Sequence, residues 1–135
     1  MMPYKLIDHT ADIGIKVNAK TLEELFIDSA MGMFDIIGHH NTGVDQKVEI
    51  SLKSDMLEDL LHDWLSELLY IYETDNIAFL KFKFRKFDET HLRATAYGEV
   101  VEPENAKTEI KAVTYHKLKI KKNKKGYGVE IIFDI

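Results

Sequence analysis

The sequence predicts an α+β fold in the order β-α-β-α-β-β-β-β: a largely antiparallel sheet with two amphipathic helices packed on its apolar face. Three observations lead there. Two segments, Thr21–Ile37 and Ser54–Asp75, repeat apolar residues at helical spacing. From Leu80 onward the apolar period drops to two, the signature of half-buried strands. Short polar turns join those alternating segments into hairpins, so sequence neighbours should pair antiparallel. Hairpins beside two one-sided helices pack most simply with the helical stripes laid on the apolar sheet face.

Each element follows from its residues. Within residues 4–18, Ile13, Ile15 and Val17 alternate with Gly14, Lys16 and Asn18, which marks a strand with one apolar face. The first helix opens at Thr21, an N-cap whose Glu24 three residues on completes a capping box. Leu22, Leu25, Phe26, Ala30, Met33, Phe34 and Ile37 form its stripe, and Gly38 supplies a stop. A strand at 47–53 carries Val48, Ile50 and Leu52 on one face. The second helix is expected to be capped by Ser54 or Asp55, with Leu57, Leu60, Leu61, Trp64, Leu65, Leu68 and Leu69 inward. It should end near Asp75-Asn76. Strands at 80–86 and 91–101 meet through a turn at Asp88-Glu89-Thr90. Strands at 110–121 and 127–135 meet through KKNKKG, with Asn123 and Gly126 as turn residues.

The chain of 135 residues fits one domain, 1–135, and is long enough for a substantial core. It has no cysteine, which excludes disulfides, thiolate metal sites and cysteine nucleophiles. MMPYKLIDHT lacks the apolar run of a signal peptide, and no stretch approaches the roughly 18 apolar residues of a membrane span. The cytoplasm is the expected compartment and no membrane partner is expected. A net charge of −5 argues against binding nucleic acid through a broadly basic surface. No phosphate-gripping glycine loop and no nucleophile elbow occurs, so no catalytic residue is assigned and no nucleotide of its own is expected.

Three stretches concentrate ionisable chemistry. In DHTADIGI, Asp8, His9 and Asp12 precede the first apolar alternation. Asp12 reads either as a turn residue bending the chain into its strand, or as one ligand of a site. In the last strand Asp134 stands beside the α-carboxylate of Ile135. Two carboxylates so close repel unless a cation or a basic group lies between them. The alternative is a strand-end acid facing water. If the start of one strand neighbours the end of the other, the acids meet, and an oxygen-only cluster suits hard cations. In EIKAVTYHKLKI, Ala112, Thr114 and His116 share a face with the core-facing Leu118 and Ile120. His116 is then either a core histidine bonded to a backbone carbonyl or part of a site at the rim, together with Lys111 and Glu109. The His39-His40 loop pair lacks further ligands close in sequence, and His62 is expected at the border of the second helical stripe.

Taken together, HTADIGI, EIKAVTYH and the terminal FDI, in this order and with DLLHDWLSELLY between them, resemble the archease family over essentially the whole chain. What the resemblance implies is a protein cofactor rather than an enzyme: a chaperone-like activator of an RtcB-type tRNA-splicing ligase. That ligase joins RNA ends with GTP and manganese through a guanylylated histidine of its own. The activator promotes guanylylation and multiple turnover in tRNA splicing and RNA repair. The resemblance also implies a small acidic metal site with Asp12, Asp134 and the carboxylate of Ile135 as ligands. Its cation would be calcium, with magnesium or manganese as substitutes. His9, Lys111, Thr114 and His116 match other motif positions and take supporting or partner-facing roles. The partner would be the ligase, with RNA reached only through it.

Two other classes compete. A stand-alone RNA-binding module would use the basic hairpin 117–126, with Tyr97 or Tyr115 as stacking groups. A metal-dependent hydrolase would need the same acids plus a base such as His116.

Overall fold

The computed structural model describes residues 3–8 and 12–135, with side chains for all of these except residues 6–8. The expected α+β class holds, with all strand pairings antiparallel. The sheet is divided, however. A larger sheet runs in the order β1 (Tyr4–Asp8), β2 (Asp12–Ala19), β8 (Gly126–Asp134), β6 (Ala112–Val113), and β7 (Lys121–Asn123) also pairs with β8. A smaller sheet runs β3 (Gln46–Lys53), β5 (His91–Val100), β4 (Ile77–Phe87).

Helix α1 (Leu22–Ile37) touches β1, β2 and β8 of the larger sheet and β4 of the smaller. Helix α2 (Leu57–Asp75) touches β3, β4 and β5 of the smaller sheet and β6 of the larger. The helices therefore lie between two sheets rather than on one. This explains why α1 buries Leu25, Phe26, Ala30, Met33, Phe34 and Ile37, a stripe too wide for a single contact surface. Trp64 is the keystone of this layer. Its ring packs on Phe82 and Phe84, and its indole Nε1 donates to the Phe26 carbonyl at 3.1 Å, tying α2 to α1. That bond satisfies the one polar atom the buried ring carries.

Local signals set most element ends. The Glu24 amide donates to Thr21 Oγ1 at 3.1 Å, and Gly38 closes α1 in the left-handed region at φ 80°. The cap of α2 differs from expectation. Neither Ser54 nor Asp55 caps it; Met56 holds that position without a side-chain bond. The Ser54 hydroxyl donates instead to Asp63 Oδ2 at 2.8 Å, and Glu58 and Asp59 in the first turn complement the helix dipole. Asn76 ends α2 at φ 58°. In the β4–β5 turn, Asp88 Oδ1 accepts from the amides of Thr90 and His91 at 2.9 and 2.8 Å.

Two expected strands change. Residues 4–18 divide into the β1–β2 hairpin. The expected strand at 110–121 breaks: after Val113 the chain leaves β8, turns at Tyr115–Leu118 with the Leu118 amide donating to the Tyr115 carbonyl, and rejoins as β7. Lys117 sits in that turn at φ 57°. Alternation cannot show such a departure, because Leu118 and Ile120 still pack partly on the core.

Candidate functional site

Strand β8 is the organising element. It pairs with β2 along one edge, and with β6 and β7 at opposite ends of the other. Its core face carries Val129, Ile131 and Phe133, all buried, opposite Val17, Ile15 and Ile13 of β2. This alternation fixes the register, because a one-residue slip would turn Phe133 outward. The same register sets Asp12 directly across from Asp134, with Ala112 on the other side of Asp134. The ends that the sequence reading required to be neighbours are neighbours.

The strip next to β8 is stitched on by backbone and side chain. The Lys111 amide donates to the Asp134 carbonyl at 2.7 Å. The amide and hydroxyl of Thr114 both donate to the Ile132 carbonyl, at 3.0 and 2.9 Å. Thr114 thus finds the partner that a half-buried hydroxyl needs. Parts of all three sequence motifs converge on this end of the larger sheet.

Alternation puts Asp12, Gly14, Ile132 and Asp134 on the sheet face away from the helices. Even so, Ile132 is only 1% exposed, so this end of the outer face is covered rather than open. Asp12 is half-buried, one of its carboxylate oxygens is shut off from solvent, and its side chain is engaged within the molecule. Asp134, Ile135 and Lys111 are exposed. The register thus sets two carboxylates across one antiparallel pair, where like charges disfavour each other.

Among the described residues, no three His, Cys, Asp or Glu side chains gather closely enough to hold a metal by themselves. Asp12 and Asp134 supply two such groups, facing each other across the ladder. The donors are all oxygen, the chemistry of a hard cation. His9 lies outside the described residues. His116 is exposed in the Tyr115–Leu118 turn, and its amide donates to Thr114 Oγ1 at 3.2 Å, so it is not a core histidine.

That role falls to His62, which the sequence places only at the border of a stripe. Its Nε2 donates to the Val113 carbonyl at 2.9 Å, and its Nδ1 lies 3.3 Å from Asp63 Oδ1. Its ring stacks on Tyr115, with centroids 3.9 Å apart and planes 13° from parallel. Tyr115 remains 55% exposed, and burial with nearby Asp59 and Asp63 pushes its phenol above the ordinary value. Helix α2 therefore grips the strip beside β8 through His62. No sequence spacing signals this contact, because 51 residues separate His62 from Val113. At the far end of the helices, His39 Nε2 and the Tyr72 hydroxyl bond at 2.7 Å, and burial pushes the His39 imidazole down. His39 is thus a structural partner of Tyr72. Among the described residues, no helix is long and apolar enough to cross a membrane.

Comparison with known proteins identifies the family and supports the fold. The model of the Archease protein family (MTH1598/TM1083) matches residues 4–135. The protein archease of Methanosarcina barkeri is 42% identical, covering 98% of this chain and 95% of its own. That of Pyrococcus furiosus is 39% identical, covering 100% of both. The solution structure of Methanobacterium thermoautotrophicum protein 1598 superposes with a TM-score of 0.79 at 34% identity, covering 100% of both chains. An archease from Thermotoga maritima, described as a possible chaperone, shares the fold with a TM-score of 0.68 at 23% identity, covering 97% of this chain and 96% of its own. With a match that spans nearly every residue and relatives covered end to end, the chain belongs to the archease family.

Proposed function

We propose that this protein is a chaperone-like cofactor of an RtcB-type RNA ligase, acting in tRNA splicing and RNA repair without catalysing a reaction itself. In this reading a divalent cation, calcium by preference and magnesium or manganese as substitutes, binds Asp12, Asp134 and the carboxylate of Ile135. The observation that carries the reading is the cross-strand register of Asp12 and Asp134, in a chain of the archease family. Two carboxylates held there by the strand ladder repel, and a cation between them turns that repulsion into attraction. Three carboxylate groups leave coordination positions for water or for atoms of a partner. The exposure of Asp134 and Ile135 suits such a partner-facing edge. Lys111 and Thr114 bond to β8 beside it and would contact the ligase, as would His116 and His9. The cytoplasm, where tRNA is processed, is the compartment this role requires.

The test is guanylylation of the cognate ligase with and without this protein. Wild type should accelerate guanylylation and allow repeated turnover. Asp12→Ala and Asp134→Ala should lose most of that effect, and so should a variant extended by one residue after Ile135. Full stimulation by Asp12→Ala would reject the role of the acidic site.

A further inference from the structure

All but three of the 18 basic residues (Lys5, Lys107 and Lys111) fall into two groups: one on or near the smaller sheet, the other around the β7–β8 hairpin. The second group surrounds a concavity. Between its short pairings with β6 and β7, the β8 edge is left by the chain, which swings out through the Tyr115–Leu118 turn. The departure opens a groove of about 670 Å³. Lys16 of β2 and Lys117, Lys119 and Lys121 of the departing segment line it, with Tyr115. One acid of its lining, Glu130, lies opposite Lys16 in the β2–β8 register, and Asp59 and Asp63 of α2 lie near its Tyr115 end. Positive charge prevails here in a chain whose net charge is −5.

We infer that this groove binds single-stranded nucleic acid: Lys16, Lys117, Lys119 and Lys121 hold the phosphodiester backbone, and Tyr115 stacks a base. Three observations lead to that ligand. First, the four lysines come from two strands, a turn and the segment that joins the turn to β7, so they form a track rather than a row along one hairpin. Second, Tyr115 is a prepared platform. His62 supports one ring face, itself anchored on the Val113 carbonyl, while more than half of the residue stays exposed. An aromatic ring held this way stacks a base with little loss of side-chain freedom, and stacking tolerates any sequence. Third, Lys117 occupies a left-handed turn position where glycine or asparagine is unstrained and lysine is not. The strain puts a charge at the lip of the groove. The segment beyond is braced, since the Ile120 amide donates to Glu58 Oε2 at 3.0 Å. A duplex hides its base faces inside its own stack, so the Tyr115 platform selects single strands. The site needs neither the acidic cluster nor a ligase, and it stands apart from the function proposed above.

The probes are fluorescent ten-nucleotide oligouridylate and oligodeoxythymidylate, mixed with the full chain in EDTA and followed by fluorescence anisotropy. A saturable complex is expected whose affinity falls with salt, with a log–log slope of about −0.7 per lysine–phosphate contact. Lys119→Glu and Lys121→Glu should each weaken it at least tenfold. Tyr115→Ser should weaken it roughly 5- to 150-fold, the loss expected for one stacked base, while Tyr115→Phe should bind as wild type. Lys83→Glu, exposed on the other sheet, should also bind as wild type. A preference for RNA over DNA, or the reverse, identifies the sugar taken by the same site. Absence of a salt-sensitive complex would overturn the inference. So would equal losses from Lys83→Glu, or equal affinity for heparin or duplex with Tyr115→Ser indistinguishable from wild type.

Discussion

Replacing Asp134 by asparagine should make the metal-free protein more stable, the reverse of what most substitutions do. Asp134 faces Asp12 across the β2–β8 ladder. A like-charge pair at such a position costs between a few tenths and about 1 kcal/mol when one member is exposed. Asparagine keeps the shape and removes one charge. Unfolding entropy of about 2.1 cal/mol/K per residue, over 135 residues, amounts to about 0.28 kcal/mol/K. Relief of 0.5–1 kcal/mol, taken from that cross-strand range, therefore raises Tm by about 2–4 °C. The assay is a thermal melt at neutral pH, in EDTA and at low ionic strength, where screening is weakest. The same melts with calcium should reverse the order. At a hundred times its dissociation constant a ligand stabilises by about 2.7 kcal/mol, or roughly 10 °C here, and Asp134→Asn should forfeit most of that gain. A lower Tm for the variant in EDTA, or an undiminished calcium shift, would refute the reasoning.

Other consequences are accessible to the same methods. His62→Ala removes the bond to the Val113 carbonyl and the support under Tyr115, and should cost about 1–2 kcal/mol. Hydrogen exchange at the Lys111 and Thr114 amides should quicken in that variant. Phe133→Ala empties a fully buried site on β8 and should cost about 3–5 kcal/mol in denaturant unfolding. The amides of Thr90 and His91 hold the Asp88 carboxyl below the usual range. Its contribution is therefore present above about pH 3.9, the unfolded value, and is lost as pH falls through the depressed folded value. Acid titration of Asp88→Ala should lack that component. Burial pushes the His39 imidazole down, so the unfolded chain takes up its proton first as pH falls below about 6.5. Wild type should lose stability through that window, and His39→Gln should not show this loss.

How far the sequence is legible depends on the range of the interaction. The Thr21 N-cap bonded by the Glu24 amide, the Gly38 stop and the Asp88 turn are set by residues three or four apart, and each forms as read. The second helix is found, but its cap is misplaced, because a tertiary bond to Asp63 claims the Ser54 hydroxyl. Alternation reveals which residues of β8 face the core, and so puts Asp134 on the opposite face. It does not say that β2 is the neighbour of β8; only the resemblance of the motifs pointed to that pairing. The division into two sheets is hidden for the same reason: a helix between two sheets and a helix on one sheet both read as apolar stripes. The break after Val113 and the His62–Tyr115 stack are invisible because long-range contacts decide them.

The proposed cofactor role depends most on a cation seated where β2 and β8 of the larger sheet meet. The most direct measurement is anomalous diffraction from crystals grown with manganese, with calcium as the competing ion. One peak is expected, bonded to oxygens of Asp12, Asp134 and the Ile135 carboxylate, displaced by calcium and absent in Asp134→Asn. A peak bound elsewhere, or none at saturating metal, would contradict it.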